Sequence, residues 1–87
     1  MNRIEITRKI KEVLENYGLG IKQLAPDASF INDLGFDSLE FAELILTAEH
    51  IFDTSIPFED GNIHTINDLV DTVENLLNTN LLITQKQ

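Results

Sequence analysis

Leu34-Gly35-Phe36-Asp37-Ser38-Leu39-Glu40-Phe41 decides the fold of this 87-residue chain, because a loop ends and a long helix begins inside it. Asp37 reads as the N-cap, and Glu40, three residues on, as its capping-box partner. Gly35 supplies backbone freedom for the turn before the cap. Ser38 falls at the first helical position, where its hydroxyl faces water. Taken alone, Asp-Ser-Leu is ordinary helix-start chemistry, so any further role for Ser38 must find support elsewhere in the chain.

Downstream, the spacing predicts a helix over Ser38–Phe52. Phe41, Leu44, Ile45, Ala48 and Phe52 share one face and form its core stripe. Leu39, Ala42 and Leu46 cluster on the opposite face, rimmed by Glu43, Glu49, His50 and Asp53. Apolar residues ringed by acids suit a transient docking surface. Asp53-Thr54-Ser55-Ile56-Pro57 then breaks the chain. Pro57 is placed to open a short third helix at Phe58-Glu59-Asp60, closed by Gly61-Asn62. Phe58 and Ile63 read as inward anchors. Thr65 caps a last helix with Asp68 three residues on, and Ile66, Leu69, Val70, Val73, Leu76 and Leu77 form its inward stripe. Residues 78–87 are polar and read as a frayed tail.

Upstream, Ile6, Ile10, Val13, Leu14 and Tyr17 follow helical spacing, and Gly18 and Gly20 end that first helix. Residues 18–37 make a long connection, in which Pro26 sets a turn. Leu24, Phe30, Ile31 and Leu34 are expected to pin it to the core, with a helical turn near 29–33. Helical periods dominate and no strand pattern occurs. The expected fold is all-α: a small four-helix bundle of three longer helices and one short third helix, with a long loop between helices one and two. Residues 1–87 read as one domain with a core over about 4–77.

Charge narrows the function. The net charge is -9, and no basic residue lies between Gln23 and Gln85. Only Glu5, Glu12 and Glu15 precede that interval, so twelve of the fifteen acids sit with no base near in sequence. Nucleic acid is an unsuitable partner for such a surface, whereas basic proteins are drawn to it. No stretch is long and apolar enough to span a membrane, and a cytoplasmic monomer is expected. The chain has no cysteine, so a reactive thiol must come from a bound group. A Gly-x-Ser-x-Gly elbow is missing around Ser38, and His50 lies three turns along the same helix, too far to be its base. No spacing matches a zinc or EF-hand site. A helix N-terminus does suit a phosphate, through its free N–H groups and partial positive charge.

At these residues the chain resembles the acyl carrier proteins and related thiolation domains. The resemblance rests on residues 34–40, on Glu43-Leu44, on the run from Glu49 to Pro57, on Thr65-Ile66-Asn67-Asp68-Leu69, and upstream on residues 24–30. It spans about residues 5–77. It implies a carrier and not an enzyme. Ser38 would bear phosphopantetheine from coenzyme A, installed by a phosphopantetheinyl transferase, and its thiol would hold acyl cargo as thioesters. Asp37, Leu39, Glu40, Glu43, Leu46 and Glu49 would form the surface read by the transferase and by basic-surfaced acyl-transfer or synthase enzymes of fatty-acid, specialised lipid or polyketide synthesis. Phe41, Ile45, Phe58 and Ile63 would line a cleft for the acyl chain. A peptidyl or aminoacyl carrier, and an unmodified helical interaction module, stay open as alternatives. His50, where the family commonly has an acid, and His64 depart from the common pattern.

Overall fold

The computed structural model describes residues 1–59 and 61–85, with side chains described through Asn78. Three α-helices account for the regular structure of the described residues: α1 (Arg3–Asn16), α2 (Ser38–Phe52) and α3 (Ile66–Gln85). α1 begins at Asn2, whose Oδ1 accepts a hydrogen bond from the Glu5 N–H at 2.9 Å. It ends where Gly18 takes a positive φ of 88° and donates to the Glu15 carbonyl at 2.9 Å. Ile6, Ile10 and Leu14 bury the inward stripe, with Val13 packed against it. Tyr17, read with this stripe, instead stands 38% exposed just beyond the helix.

The connection to α2 is held by its own main chain. A short 3-10 turn, Ile21–Gln23, starts it. The Phe30 N–H then donates to the His64 carbonyl, and the Asn67 N–H to the Pro26 carbonyl. These bonds tie the loop to the start of α3. The expected turn near 29–33 is present: the Asp33 and Leu34 N–H groups both donate to the Ser29 carbonyl at 3.0 Å. Asp33 Oδ2 accepts from the Ser29 N–H at 2.7 Å and closes the turn. Leu24, Phe30 and Leu34 are buried as anchors, but Ile31 is 53% exposed. Phe30 and Ile31 are adjacent in the turn, and Phe30 takes the inward position at 0% exposure.

The expected fourth helix is not found among the described residues. Between α2 and α3 the backbone makes a single turn, in which the Gly61 N–H donates to the Phe58 carbonyl at 3.3 Å and Gly61 has a φ of 72°. Gly61 at positive φ closes that turn, and no helical ladder continues from it among the described residues. Asp60, part of that expectation, lies outside the described residues. α3 opens as the sequence implies: Thr65 Oγ1 accepts from the Asp68 N–H, and Asp68 Oδ2 accepts from the N–H groups of Thr65 and His64. Its backbone is helical through Gln85, and the end of the tail expected at 78–87 lies outside the described residues.

The core lies where the three helices meet. Leu44, Ile45, Ala48 and Phe52 of α2, Ile66, Leu69, Val70 and Val73 of α3 and the α1 stripe belong to one buried cluster. Among the described residues no polar or charged side chain is buried. Arg3 ties the N-terminus of α1 to α3, donating to Asp71 at 2.5 Å, Glu74 at 3.1 Å and Asn67 at 2.5 Å. Folding thus gives two of the acids the base that their sequence neighbourhood lacks.

Candidate functional site

α2 starts at the surface, and its first turn is fixed by reciprocal bonds. Asp37 sits in extended backbone at the N-cap, and its Oδ1 accepts from the Glu40 N–H at 2.8 Å. Glu40 Oε1 accepts in return from the Asp37 N–H at 3.1 Å. Before the cap, Gly35 takes a φ of 74°, which an L side chain rarely adopts. That kink turns Phe36 inward, 5% exposed, between the rings of Tyr17 at 5.1 Å and Phe30 at 6.1 Å. An aromatic wedge below and a capping box beside it therefore set the position of Ser38.

Ser38 itself is exposed at the first position of the helix. Its hydroxyl has no hydrogen-bond partner among the described residues. The N–H groups of Ser38 and Leu39 have no intrahelical acceptor, as in any first turn. A free hydroxyl beside unpaired N–H groups, at the positive end of a 15-residue helix, suits a phosphodiester. The other two serines are placed differently. Ser29 Oγ is taken up by the Asn32 N–H at 3.1 Å, and Ser55 lies in the connection after α2.

The remaining expected docking residues share the outer surface of α2, with one exception. Leu39 and Leu46 are 69% and 63% exposed, and Asp37, Glu40 and Glu43 are exposed too. Glu49 is half-buried, and its Oε2 accepts from the Ile56 N–H at 2.7 Å. It holds the following connection down, a job that its place on the helical wheel did not reveal. Tyr17 was missed as a neighbour of this face. Burial raises its phenol pKa above the ordinary value, and the nearby Glu43 and Glu40 raise it further. The clue in the sequence was a tyrosine, with its polar tip, directly before a helix-ending glycine.

The expected chain-lining residues divide into two pairs. Ile45 and Ile63 are buried core, at 0% and 5% exposure. Phe41 and Phe58 are half-buried, their rings edge-to-face 5.9 Å apart at 73°. This aromatic pair joins α2 to the turn at Phe58. His50 is exposed in the last turn of α2, and His64 is exposed beside the α3 cap. Among the described residues no three His, Asp or Glu side chains gather closely enough to hold a metal ion.

The model of the phosphopantetheine attachment site family matches residues 4–73. The chain belongs to that family. Phosphopantetheine is accordingly its prosthetic group, and the phosphopantetheine attachment site domains are carriers. Such domains meet a phosphopantetheinyl transferase and synthase enzymes, and bear acyl cargo. The match takes in nearly all of α1, the loop, α2 and the first turns of α3, so the site from Tyr17 to His64 lies within the family's span. No described helix is long and apolar enough to cross a membrane.

Proposed function

We propose that the chain is an acyl carrier protein whose phosphopantetheine is attached at Ser38. The observation that carries this reading is the exposed, unpartnered hydroxyl of Ser38 at the capped start of α2. Once attached, the group supplies a terminal thiol that holds an acyl chain as a thioester. The protein's own residues position and address it. Asp37 and Glu40 lock the first turn, so that the attachment oxygen is presented in one orientation. Leu39 and Leu46 give partners an apolar contact, and Glu43 with Glu40 gives them charge.

Exposed ion pairs contribute only about 0–1 kcal/mol each, enough to speed encounter without locking the complex. A carrier that visits several basic enzymes needs that balance. The strongly acidic character of α2 favours acyl-transfer and synthase partners of fatty-acid or specialised lipid synthesis over aminoacyl ligases. Phe41 and Phe58 are the residues positioned to part and admit an acyl chain, with Ile45 and Ile63 behind them.

Incubation with coenzyme A and a permissive transferase is expected to add the mass of one phosphopantetheine to the wild type and none to Ser38→Ala. Modification of Ser38→Ala, or an unmodified wild type, overturns the proposal. Peptide mapping separates Ser38 from Ser29 and Ser55.

A further inference from the structure

The outer surface of α1 carries a feature unconnected with Ser38. An open groove of about 630 Å³ runs between α1 and the loop at Ile21–Leu24. Ile4 and Ile21 line it while 78% and 80% exposed, more than Leu39 or Leu46. Arg8, Lys11, Glu12 and Glu15 line it as well, and none of the four makes an ion pair among the described residues. None of its lining residues belongs to the α2 face.

The order of these charges along α1 is informative. Two bases, Arg8 and Lys11, precede two acids, Glu12 and Glu15. Arg8 and Glu15 stand equally far from the point between Lys11 and Glu12. If a second α1 is laid antiparallel about a two-fold axis through that point, Arg8 of each copy faces Glu15 of the other, and Lys11 faces Glu12. One register satisfies all four charges at once, as an isologous contact requires. The stripe Ile4, Arg8, Lys11, Glu15 has the 4-3-4 spacing that keeps one seam toward a neighbouring helix. The mixed rim suits this occupant better than an anionic lipid surface, which Glu12 and Glu15 would repel.

The rest of the molecule points the same way. Each copy has a net charge of -9, so two copies repel through most of their surfaces. Residues 1–22 hold five of the six bases but only three acids, Glu5, Glu12 and Glu15. This is the face on which copies meet with least repulsion. At about 0.15 M salt the Debye length is about 8 Å, which screens the distant acids more than the pairs in contact.

We propose that this α1 groove is a self-association surface, in which a second copy of the chain docks antiparallel through Ile4, Ile21 and the Arg8–Glu15 and Lys11–Glu12 pairs. The contact is small and therefore weak, and it uses neither Ser38 nor any other residue of α2.

Sedimentation equilibrium in about 0.15 M salt tests this. From about 20 µM to 1 mM protein, the wild-type mass is expected to rise from 9.9 kDa toward twice that value. Arg8→Glu places like charges opposite each other and is expected to hold the mass at 9.9 kDa, as is Glu15→Arg. An equimolar mixture of these two variants regains the heavier species, because each supplies the sign that the other lacks. Matching helical circular dichroism shows that both variants fold. A wild type fixed at 9.9 kDa, or a mixture that stays monomeric, overturns the proposal. So does binding of that monomer to phosphatidylglycerol vesicles, which would assign the groove to a lipid surface.

Discussion

Glu49 offers a direct test of how the acids on α2 divide their work. Its Oε2 accepts from the Ile56 N–H at 2.7 Å, and Ile56 is only 3% exposed. Water cannot readily replace the carboxylate at that N–H. Leaving a buried donor unpaired costs about 1–3 kcal/mol, so Glu49→Ala should destabilise the protein by about 2 kcal/mol. For a domain of this size, that lowers the melting temperature by about 8–16 °C. Glu49→Gln keeps an acceptor but loses the charge assistance, and should lose about half as much. Glu43→Ala removes an exposed side chain and should stay within about 0.5 kcal/mol of the wild type.

Urea denaturation and thermal melts of the three variants give the stability order. Transferase loading, measured well below every melting point, gives the functional order. The expected result is a crossed pattern. Glu49→Ala is unstable but loads at the wild-type rate, while Glu43→Ala is stable and loads slowly. A Glu49→Ala protein as stable as Glu43→Ala, or slowed equally in loading, would refute the assignment of Glu49 to structure.

Other expectations concern caps and charge. Burial pushes the Asp68 carboxyl up, but the N–H groups of His64 and Thr65 and the Thr65 hydroxyl outweigh it and hold its pKa below the ordinary carboxylate value. A depressed folded pKa contributes stability that is present above the unfolded value and lost as pH falls through the folded one. Asp68→Asn should therefore be about 1 kcal/mol less stable at neutral pH, with the gap closing below the ordinary carboxylate range in urea titrations. Asp53 ends α2 at a φ of 51°, so Asp53→Val should lose about 1–2 kcal/mol in urea denaturation while Asp53→Gly loses none. Added salt should raise the melting temperature of the wild type. It should do so more steeply in Arg3→Ala, where Asp71 and Glu74 lose their counter-charge.

Much of this was legible because it is local. The Asp37/Glu40 and Thr65/Asp68 boxes depend on residues three apart, and helical periodicity marked the buried stripes of α1, α2 and α3. What could not be read depends on long-range placement. The Arg3 bond to Asp71 spans 68 positions, and nothing near either residue announces it. Ile31 and Phe30 are both strong apolar anchors by composition, and only the packed turn decides which points inward. At Phe58 the described backbone makes only the single turn that Gly61 closes, and no helix extends from the proline. The setting of Ser38 was legible for a different reason: the residues around it lie inside a family match that spans residues 4–73.

The net charge of -9 overstates what a partner meets. Asp33 and Asp68 close turns and caps, Asp37 holds the first turn of α2, and Glu49 pins the next connection. Asp71 and Glu74 are matched by Arg3. On α2, Glu40 already spends one oxygen on the Asp37 N–H, whereas the Glu43 side chain makes no hydrogen bond among the described residues. Glu43 is therefore the carboxylate on that helix most free to meet a basic partner, and it lies between Leu39 and Leu46. Of the twelve acids with no base near in sequence, five accept from backbone N–H groups and two more pair with Arg3 among the described residues. Under the proposed function, Leu39, Glu43 and Leu46, with Ser38 at their head, are the strip of α2 left for a partner.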